Sequence, residues 1–365
     1  MPELLTESER NLEDTATQFA REQLLPLAGL ADQRATVIEA SKAAGLFAMT
    51  QPKSHGGTEA HALELTIVRD ALAALNPPYM DAVFGPGPGV LANCGEPLAS
   101  KYLEGVLRGT KRGAFGFTEP DSHPTIGTLE GDRLTINGRK SYVTGGGSAD
   151  FVNTLVRIDG HGPAMVVVDI DTPGLSVLER FSSLDGSKHA AFEYANVTVD
   201  ADHIIGKPGE GMPRAMRQIG DTRLLIAAQC VGLMRWCIDH VTQHLAGTDR
   251  SGVKRGDKEG VRLRYSDMRI EAYAARSMLY RTARIIDSGE NAVNESIACK
   301  VFATETVGRV VDTAIQLVGG NALVAGHPLE ELYRRVRSWR LAEGASDVIR
   351  LNLARGKLEL DKGRI

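Results

Sequence analysis

The chain has 365 residues, 42% of them apolar, and a formal net charge of −4. That is enough apolar material for a real core and enough length for two or three domains or one large composite. The charge gives no electrostatic footprint for nucleic acid or anionic lipid, and no unbroken apolar run reaches the ~18 residues that a membrane span needs. Cys94, Cys230, Cys237 and Cys299 are scattered, with no C-x-x-C pair. The opening MPELLTESER is acidic and lacks a basic-then-apolar leader pattern. These features predict a soluble, cytoplasmic protein with reduced thiols, rather than a disulfide framework or a zinc site.

The first third reads helical. Thr6 and Glu9 make an S/T-x-x-E capping box before a run that places Leu12, Ala16, Phe19 and Ala20 on one face. A second helical stretch holds Ile38, Ala43 and Leu46. A third runs from Leu63 to Leu75 and stops at Asn76-Pro77-Pro78. FGPGPGV (84–90) cannot continue a helix. Its spacing matches neither G-x-G-x-x-G nor a phosphate loop with its lysine, so it reads as a break.

The middle changes period. DRLTINGRKSYVT alternates, and Asn137-Gly138 reads as a type I′ hairpin turn. FVNTLVRID, PAMVVVDID and FEYANVTV follow as β-branched runs. Four or more short strands over roughly 115–205, with no crossover helix between them, predict a compact β-domain and argue against a Rossmann unit.

After GKPGEGM (206–212) helical periodicity returns. Met268, Ala272, Ala275, Leu279, Ala283 and Ile286 form one apolar stripe. Ile297, Val301, Thr304, Gly308, Val311, Ile315 and Val318 form another, ended by Gly319-Gly320 as a C-cap. Long striped helices pack as a bundle. RLAEGASDVIR (340–350) then sets one carboxylate, Glu343, beside a glycine. By itself Glu343 is as consistent with a solvated helix charge as with a base at the mouth of a site.

Five segments, GAFGFTEPD (113–121), INGRKSYVTGG (136–146), GKPGEGM, QLVGGNAL (316–323) and AEGASDVIRLNLAR (342–355), follow one another in the order found in the acyl-CoA dehydrogenase family of flavoproteins. Nearly the whole chain resembles that family. The resemblance implies an α+β, mostly α fold: an N-terminal helical domain (1–114), a middle β-domain (115–211) and a C-terminal four-helix bundle (212–365). It implies FAD bound between the β-domain and the bundle.

Carried onto this chain, the resemblance puts Phe115, Phe117 and Thr118 along the pyrimidine side of the flavin ring, and Tyr142, Val143 and Thr144 near N5. An apolar wall with a hydroxyl donor suits a hydride acceptor. Without the resemblance, Tyr142 and Thr144 are simply a strand surface pair. Gln316, Gly319 and Gly320 resemble the contact to the adenine half of a neighbouring subunit's FAD, although glycines are also ordinary C-caps. Arg223 resembles the family arginine lining the acyl-CoA channel; as a lone helix residue it is a surface ion pair with Asp221 or nothing.

Glu343 matches the family's usual catalytic base. The α-proton of a thioester is very weakly acidic, so the base must be desolvated. The thioester oxygen also needs donors to hold enolate-like charge. Gly344 lets the backbone come close to the ligand. The implied reaction is FAD-dependent α,β-dehydrogenation of an acyl-CoA to the trans-2-enoyl-CoA, with the proton to Glu343, the hydride to flavin N5, and the electrons passed on to an electron-transfer flavoprotein. The implied state is a homo- or hetero-oligomer, dimer or tetramer.

The chain departs from the family pattern at three places. The loop after Pro120, DSHPTIGTLEGD, is shortened, and the serine expected near the phosphates has only Ser122 or Thr125 as substitutes. LAGTDRSGVKRGDKEG (245–260) replaces a stretch whose arginine reaches a partner's FAD pyrophosphate; Arg250 takes that role from a shifted position, with Lys254 and Arg255 as further options. FGPGPGV falls where the family keeps a helix near the acyl tail, which predicts a bulky or unusual acyl group. Two alternatives stay open: a subunit of a heteromeric dehydrogenase that needs a paralogous partner to complete the FAD site, and a fold-related flavin monooxygenase. His240 and His244, at i and i+4, lack a third ligand and predict no metal site. Trp236 and Trp339 fit packing.

Overall fold

The computed structural model describes residues 4–363. The chain divides into two compact units, one built from residues 4–49, 60–84 and 220–363 and the other from 50–59 and 85–219.

The first unit is helical. It holds α1 (Glu7–Phe19), α2 (Arg34–Ala43), α3 (Ala62–Ala73), most of α5 (Gly211–Ala246), α6 (Glu259–Asp287), α7 (Val293–Val318), α8 (Pro328–Ser338) and α9 (Ser346–Leu358). The start of α1 is set by its own side chains. Thr6 caps α1 by accepting from Glu9 N, while the Glu9 carboxylate accepts from Thr6 N at 2.6 Å, the reciprocal box expected from S/T-x-x-E spacing. The stripe Met268, Ala272, Ala275, Leu279 and Ala283 is buried against Val307, Val310, Val311 and Ala314 of α7 and against Ala227, Val231 and Met234 of α5. Each large side chain removed from water in this way contributes roughly 1.5–3 kcal/mol.

By length and composition α5 is apolar enough to cross a membrane, which the run-based reading of the sequence does not detect. Its apolar residues from Leu224 to Val241 are core of the bundle.

One carboxylate ties four of these helices together. Asp70 of α3 is fully buried. It accepts from Arg235 Nη1 of α5 at 2.9 Å, and from Arg276 Nε at 2.8 Å and Tyr280 Oη at 3.0 Å, both on α6. Glu13 of α1 joins through Arg276 at 3.3 Å.

The second unit carries α4 (Glu104–Leu107), the start of α5, and a seven-stranded sheet: β1 (Gly113–Gly116), β2 (Ile126–Glu130), β3 (Arg133–Thr144), β4 (Phe151–Ile158), β5 (Gly162–Asp169), β6 (Leu175–Ser182) and β7 (Lys188–Asp200). The spatial order is β1-β4-β2-β3-β7-β6, with β5 on β4. The strand pairs β1–β4 and β2–β4 are parallel and the rest antiparallel.

Asn137-Gly138 is not a hairpin turn. β3 runs through it, and the turn from β2 to β3 is Gly131-Asp132, since Glu130 pairs with Arg133. The Asn-Gly pair serves a bulge instead. Ile136 pairs with Val197 but Gly138 pairs with Tyr194, so the extra residue lies on β7. Asn137 Oδ1 accepts from Asn196 N at 2.8 Å across that irregularity. Gly138 sits at φ +132°, and a Cβ there would stand 2.3 Å from Pro124 O. Asn-Gly therefore meets a need for unusual φ and close approach, but not the one its commonest use suggests.

A second irregularity changes what β3 presents. Lys140 pairs with Phe192 and Val143 with Ala190, so β3 spends one residue more than β7 there. Side chains alternate strictly along a strand, so one extra residue inverts the facing of all that follow. Before it, Leu134, Ile136 and Lys140 point inward; after it, Val143 does. Tyr142 and Thr144 are thereby turned to the exposed side.

Candidate active site

Glu343 lies in the connection between α8 and α9, and three of that connection's carbonyls are held by buried groups of other helices. Arg340 O accepts from Ser346 N at 2.9 Å and from Lys300 Nζ at 3.3 Å. Glu343 O accepts from Arg223 Nε of α5 at 3.0 Å. Gly344 O accepts from Lys300 Nζ of α7 at 2.9 Å. So two successive carbonyls, those of Glu343 and Gly344, each face a cation.

The backbone they hold is unusual. Glu343 is left-handed at φ +54° and Gly344 follows at φ +103°. A Cβ on residue 344 would stand 2.5 Å from Ile349 Cγ2 and 3.3 Å from Arg223 Nη2. A non-glycine residue at positive φ is uncommon and concentrates where function requires it. Here the two cations supply the compensation.

Glu343 is half-buried. Burial pushes its carboxyl above the ordinary carboxylate range, against the pull of Arg223 and Lys300. That is the acidity a general base for a weak carbon acid needs. Arg223 is 8% exposed and its guanidinium serves the Glu343 carbonyl, so the surface ion pair with Asp221 that a lone helix arginine suggests is corrected by its burial. The connection is not a stretch of solvated helix.

Lys300 is absent from the sequence-derived set. Its side chain is fully buried, and burial pushes its ammonium down to about 8, with Arg223 pushing the same way and Cys230 and Glu343 opposing. Its signal in the sequence is a lysine three residues after Ile297 and four before Thr304, on the apolar stripe of α7. A charge on a stripe is buried only where something pairs with it.

In the sheet unit the expected residues cluster along the end of β1 and the exposed side of β3. Phe115 and Phe117 stack at 5.8 Å. Thr118 is exposed, and its carbonyl accepts from Ser141 N at 2.9 Å. Glu119 fixes this segment. Its carboxylate takes Lys140 Nζ at 2.6 Å and Thr125 N at 3.1 Å, and Lys140 is fully buried. Although burial pulls the Glu119 carboxyl up, the bonds from Lys140 and Thr125 leave it below the ordinary range.

Tyr142 stands 66% exposed at φ +52°. Its ring meets Phe181 edge-on at 5.1 Å, and Thr144 beside it bonds His189 at 3.2 Å. Val143 is fully buried in the core of the sheet unit, so the structure does not present it to a ligand as it does Tyr142 and Thr144. Ser122 is exposed and its hydroxyl pairs with His123 Nδ1 at 2.8 Å; Thr125 is buried, its hydroxyl donating to Arg139 O.

The remaining residues lie elsewhere in the helical unit. Gln316 and Gly320 are exposed at the end of α7, which Gly319 closes at φ +88°. Leu323 and Val324 just beyond are more than half exposed. Arg250 is exposed in the loop after α5. Asp249 organises that loop, accepting from Ser251 N at 2.9 Å, Val253 N at 3.1 Å and Lys258 Nζ. Arg255 turns back to His244 O at 3.4 Å. Trp236 stacks on His240 at 5.0 Å and His240 meets His327 edge-on, so these histidines pack with aromatic neighbours.

Two profiles of one family cover most of the chain: the acyl-CoA dehydrogenase N-terminal domain over residues 6–110 and its C-terminal domain over residues 209–358. The chain belongs to the acyl-CoA dehydrogenase family. It is 25% identical to an acyl-CoA dehydrogenase of Bacillus subtilis, across 96% of this chain and 98% of that one. It is 25% identical to the caffeyl-CoA reductase–Etf complex subunit CarC of Acetobacterium woodii, over 83% and 84%. The solved acyl-CoA dehydrogenase of Geobacillus kaustophilus shares the fold at a TM-score of 0.83 and 20% identity, over 98% of this chain and 99% of that chain.

Acyl-CoA dehydrogenases are FAD-dependent oxidoreductases. The residues present fit a flavin. Tyr142, the Phe115–Phe117 stack and the exposed hydroxyls of Thr118 and Thr144 give the sheet unit aromatic rings beside hydroxyl groups, which a planar heteroaromatic ring requires. The other unit presents a partly desolvated carboxyl on a backbone that no side chain at residue 344 obstructs.

Proposed function

We propose that this chain oxidises an acyl-CoA thioester between its α and β carbons, with Glu343 as the base. The observation that carries this is the Glu343 carboxyl itself, made more basic by burial and set at φ +54° with donors on two successive carbonyls. Glu343 takes the α-proton, and the N–H groups of a backbone open to close approach at Gly344 favour charge on the thioester oxygen. FAD, when bound, accepts the hydride leaving the β carbon. Tyr142, Val143 and Thr144, with Phe115, Phe117 and Thr118, hold the ring and keep water from it. Gln316, Gly319 and Gly320 meet the adenine half of a neighbouring subunit's FAD and Arg250 its pyrophosphate, and Arg223 and Ser122 face the CoA. Electrons pass to an electron-transfer flavoprotein, in keeping with the Etf complex named for the Acetobacterium relative. With reductases among the relatives, the reverse direction, reduction of an enoyl-CoA, uses the same residues.

The acyl group is bulky or unusual. Residues 85–88 form no helix, and Val90 N is held by Gln218 Oε1 at 2.8 Å and Val90 O by Arg214 Nη1 at 3.1 Å. That fixed irregular segment favours a wider pocket end than a continuous helix leaves.

A second reading, a heteromeric dehydrogenase with a paralogous partner, is favoured by the loop after α5. It bonds to itself through Asp249, and Arg255 is turned back on its own helix, leaving Arg250 and Lys254 as the residues for a partner's FAD. Leu263, Ile270 and Tyr273 stand more than 60% exposed along α6, as an oligomer surface would.

The test is anaerobic bleaching of the flavin by a panel of acyl-CoAs, with the chain alone and co-expressed with candidate partners. Bleaching by branched or ring-bearing acyl-CoAs supports the proposal. Fastest turnover of short or medium straight chains overturns the bulky acyl group. A colourless protein that turns yellow only with a partner establishes the heteromer. Rapid reoxidation by oxygen with an oxygenated product establishes a monooxygenase instead.

A further inference from the structure

A hydrogen-bonded chain of four residues starts at Thr144 and lies wholly within the sheet unit. Thr144 and His189 are register partners on β3 and β7. Thr144 Oγ1 is 3.2 Å from His189 Nδ1, and Ser187 Oγ is 2.9 Å from His189 Nε2. Ser187 Oγ donates to Asp185 Oδ1 at 2.6 Å, and Ser187 N donates to the same oxygen at 3.0 Å. Phe181 stacks on the imidazole at 5.4 Å and Tyr142 meets it at 6.2 Å, so the ring is held from two sides.

Proton counting fixes the direction of these bonds. A hydroxyl has one proton to donate. Ser187 gives its own to the Asp185 carboxylate, the strongest acceptor within reach. Ser187 Oγ must then accept from His189 Nε2–H. In a neutral imidazole the other nitrogen carries no proton, so Nδ1 accepts the Thr144 hydroxyl proton. Thr144 is left with lone pairs only toward solvent or ligand. A proton added to Nδ1 from solvent reverses this: Nδ1–H donates to Thr144 Oγ1, and the hydroxyl proton is released to point outward. Only hydrogen bonds and that one solvent proton change.

We propose that His189 is a positioning residue that sets the polarity of the Thr144 hydroxyl, acceptor outward when the imidazole is neutral and donor outward when it is protonated. The inference deepens the function proposed above and rests on it for one point alone, that the outward partner is a flavin ring nitrogen. A nitrogen without a proton calls for the donor state and one bearing a proton calls for the acceptor state, so one threonine serves both through its neighbour. The charged and titratable groups facing His189 are Asp185 in the β6–β7 turn, Tyr142 on β3, Lys188 on its own strand and Arg180 on β6. The last two line a cleft of about 390 Å³ together with His189.

The test uses the flavoprotein labelled with ¹⁵N-histidine, His189 being assigned by the signals lost in His189→Phe. Above its titration midpoint, His189 should stand as the Nε2–H tautomer by roughly tenfold over the other, the ratio one net hydrogen bond sustains. Ser187→Ala should erase that preference. A dominant Nδ1–H tautomer, or a ratio indifferent to Ser187→Ala, overturns the relay. If His189→Phe does not fold, His189 is assigned through its contact with Phe181, and Ser187→Ala carries the test alone. The second arm follows the visible absorbance of the bound flavin with pH. It should titrate with the midpoint seen for His189, and that change should vanish in His189→Phe. The expected tautomer beside an unresponsive flavin spectrum supports the relay and overturns the placement of Thr144 against the flavin.

Discussion

The ammonium of Lys300 lies 2.9 Å from the carbonyl oxygen of Gly344, with no part of the lysine side chain exposed. A charge is thereby placed one peptide away from the carboxyl proposed to take the substrate proton. Removing it should act on that carboxyl in a definite direction. Lys300 lowers the proton affinity of Glu343, so Lys300→Met should raise it, and the acid limb of flavin bleaching against pH should move to higher pH. Loss of rate with an unmoved limb would mean that Lys300 serves packing only.

Lys300 also predicts a stability signature. Burial pushes its pKa down to about 8 in the folded chain, against roughly 10.4 when unfolded. Between those values the unfolded chain binds more protons, so folding stability rises with pH there. Below about pH 8 the penalty of the buried charge is fully present. The urea midpoint of the wild-type protein should therefore climb from pH 8 to 10, relative to Lys300→Met measured in the same buffers.

Glu343→Gln keeps the shape and removes the base. It should retain FAD while slowing anaerobic bleaching by ~10² to 10⁴, the usual worth of a general base. Near-normal bleaching would assign the proton transfer to another group.

Gly344→Ala tests the backbone rather than the side chain. The added methyl meets Ile349 at 2.5 Å at a φ that alanine rarely adopts. Displacing the base by about 1 Å is enough for roughly 10²-fold in rate. Thermal stability should fall much less than activity; parallel losses would count against a local effect.

Asp70→Ala should be among the most damaging substitutions outside the site. It leaves Arg235 and Arg276 without the carboxylate they share, and breaking a buried ion pair costs roughly 3–5 kcal/mol. Equilibrium urea denaturation reads this directly. Asp70→Asn, which keeps hydrogen-bonding capacity, should fall between that variant and the wild type.

How much of this was legible beforehand depended on the kind of signal. Helix periodicity and the Thr6–Glu9 box place α1 and the bundle stripes, because burial of one face is a local repeat. The Glu343-Gly344 pair is visible as a motif, but its left-handed backbone is not, since the donors that hold it come from residues 223 and 300. Asn137-Gly138 misleads because the same preference for positive φ serves tight turns and bulges alike, and only strand register separates them. β6 is missed because LSVLERFS alternates weakly, as a strand with little buried surface does. His189 has no sequence signal at all, as its place opposite Thr144 follows from how β3 and β7 count against each other.

That counting has a consequence for how the chain tolerates change. Relative to the partner strand, β3 carries one odd residue between Lys140 and Val143. Deleting one of residues 141 and 142 would remove the bulge and set Lys140, one residue and Val143 against Phe192, Ala191 and Ala190 in plain alternation, so Val143 would stay in and Thr144 out. Such a deletion should spare the Thr144–His189 contact and cost only the side chain that the extra residue carries, whereas an added residue after Val143 would break that contact.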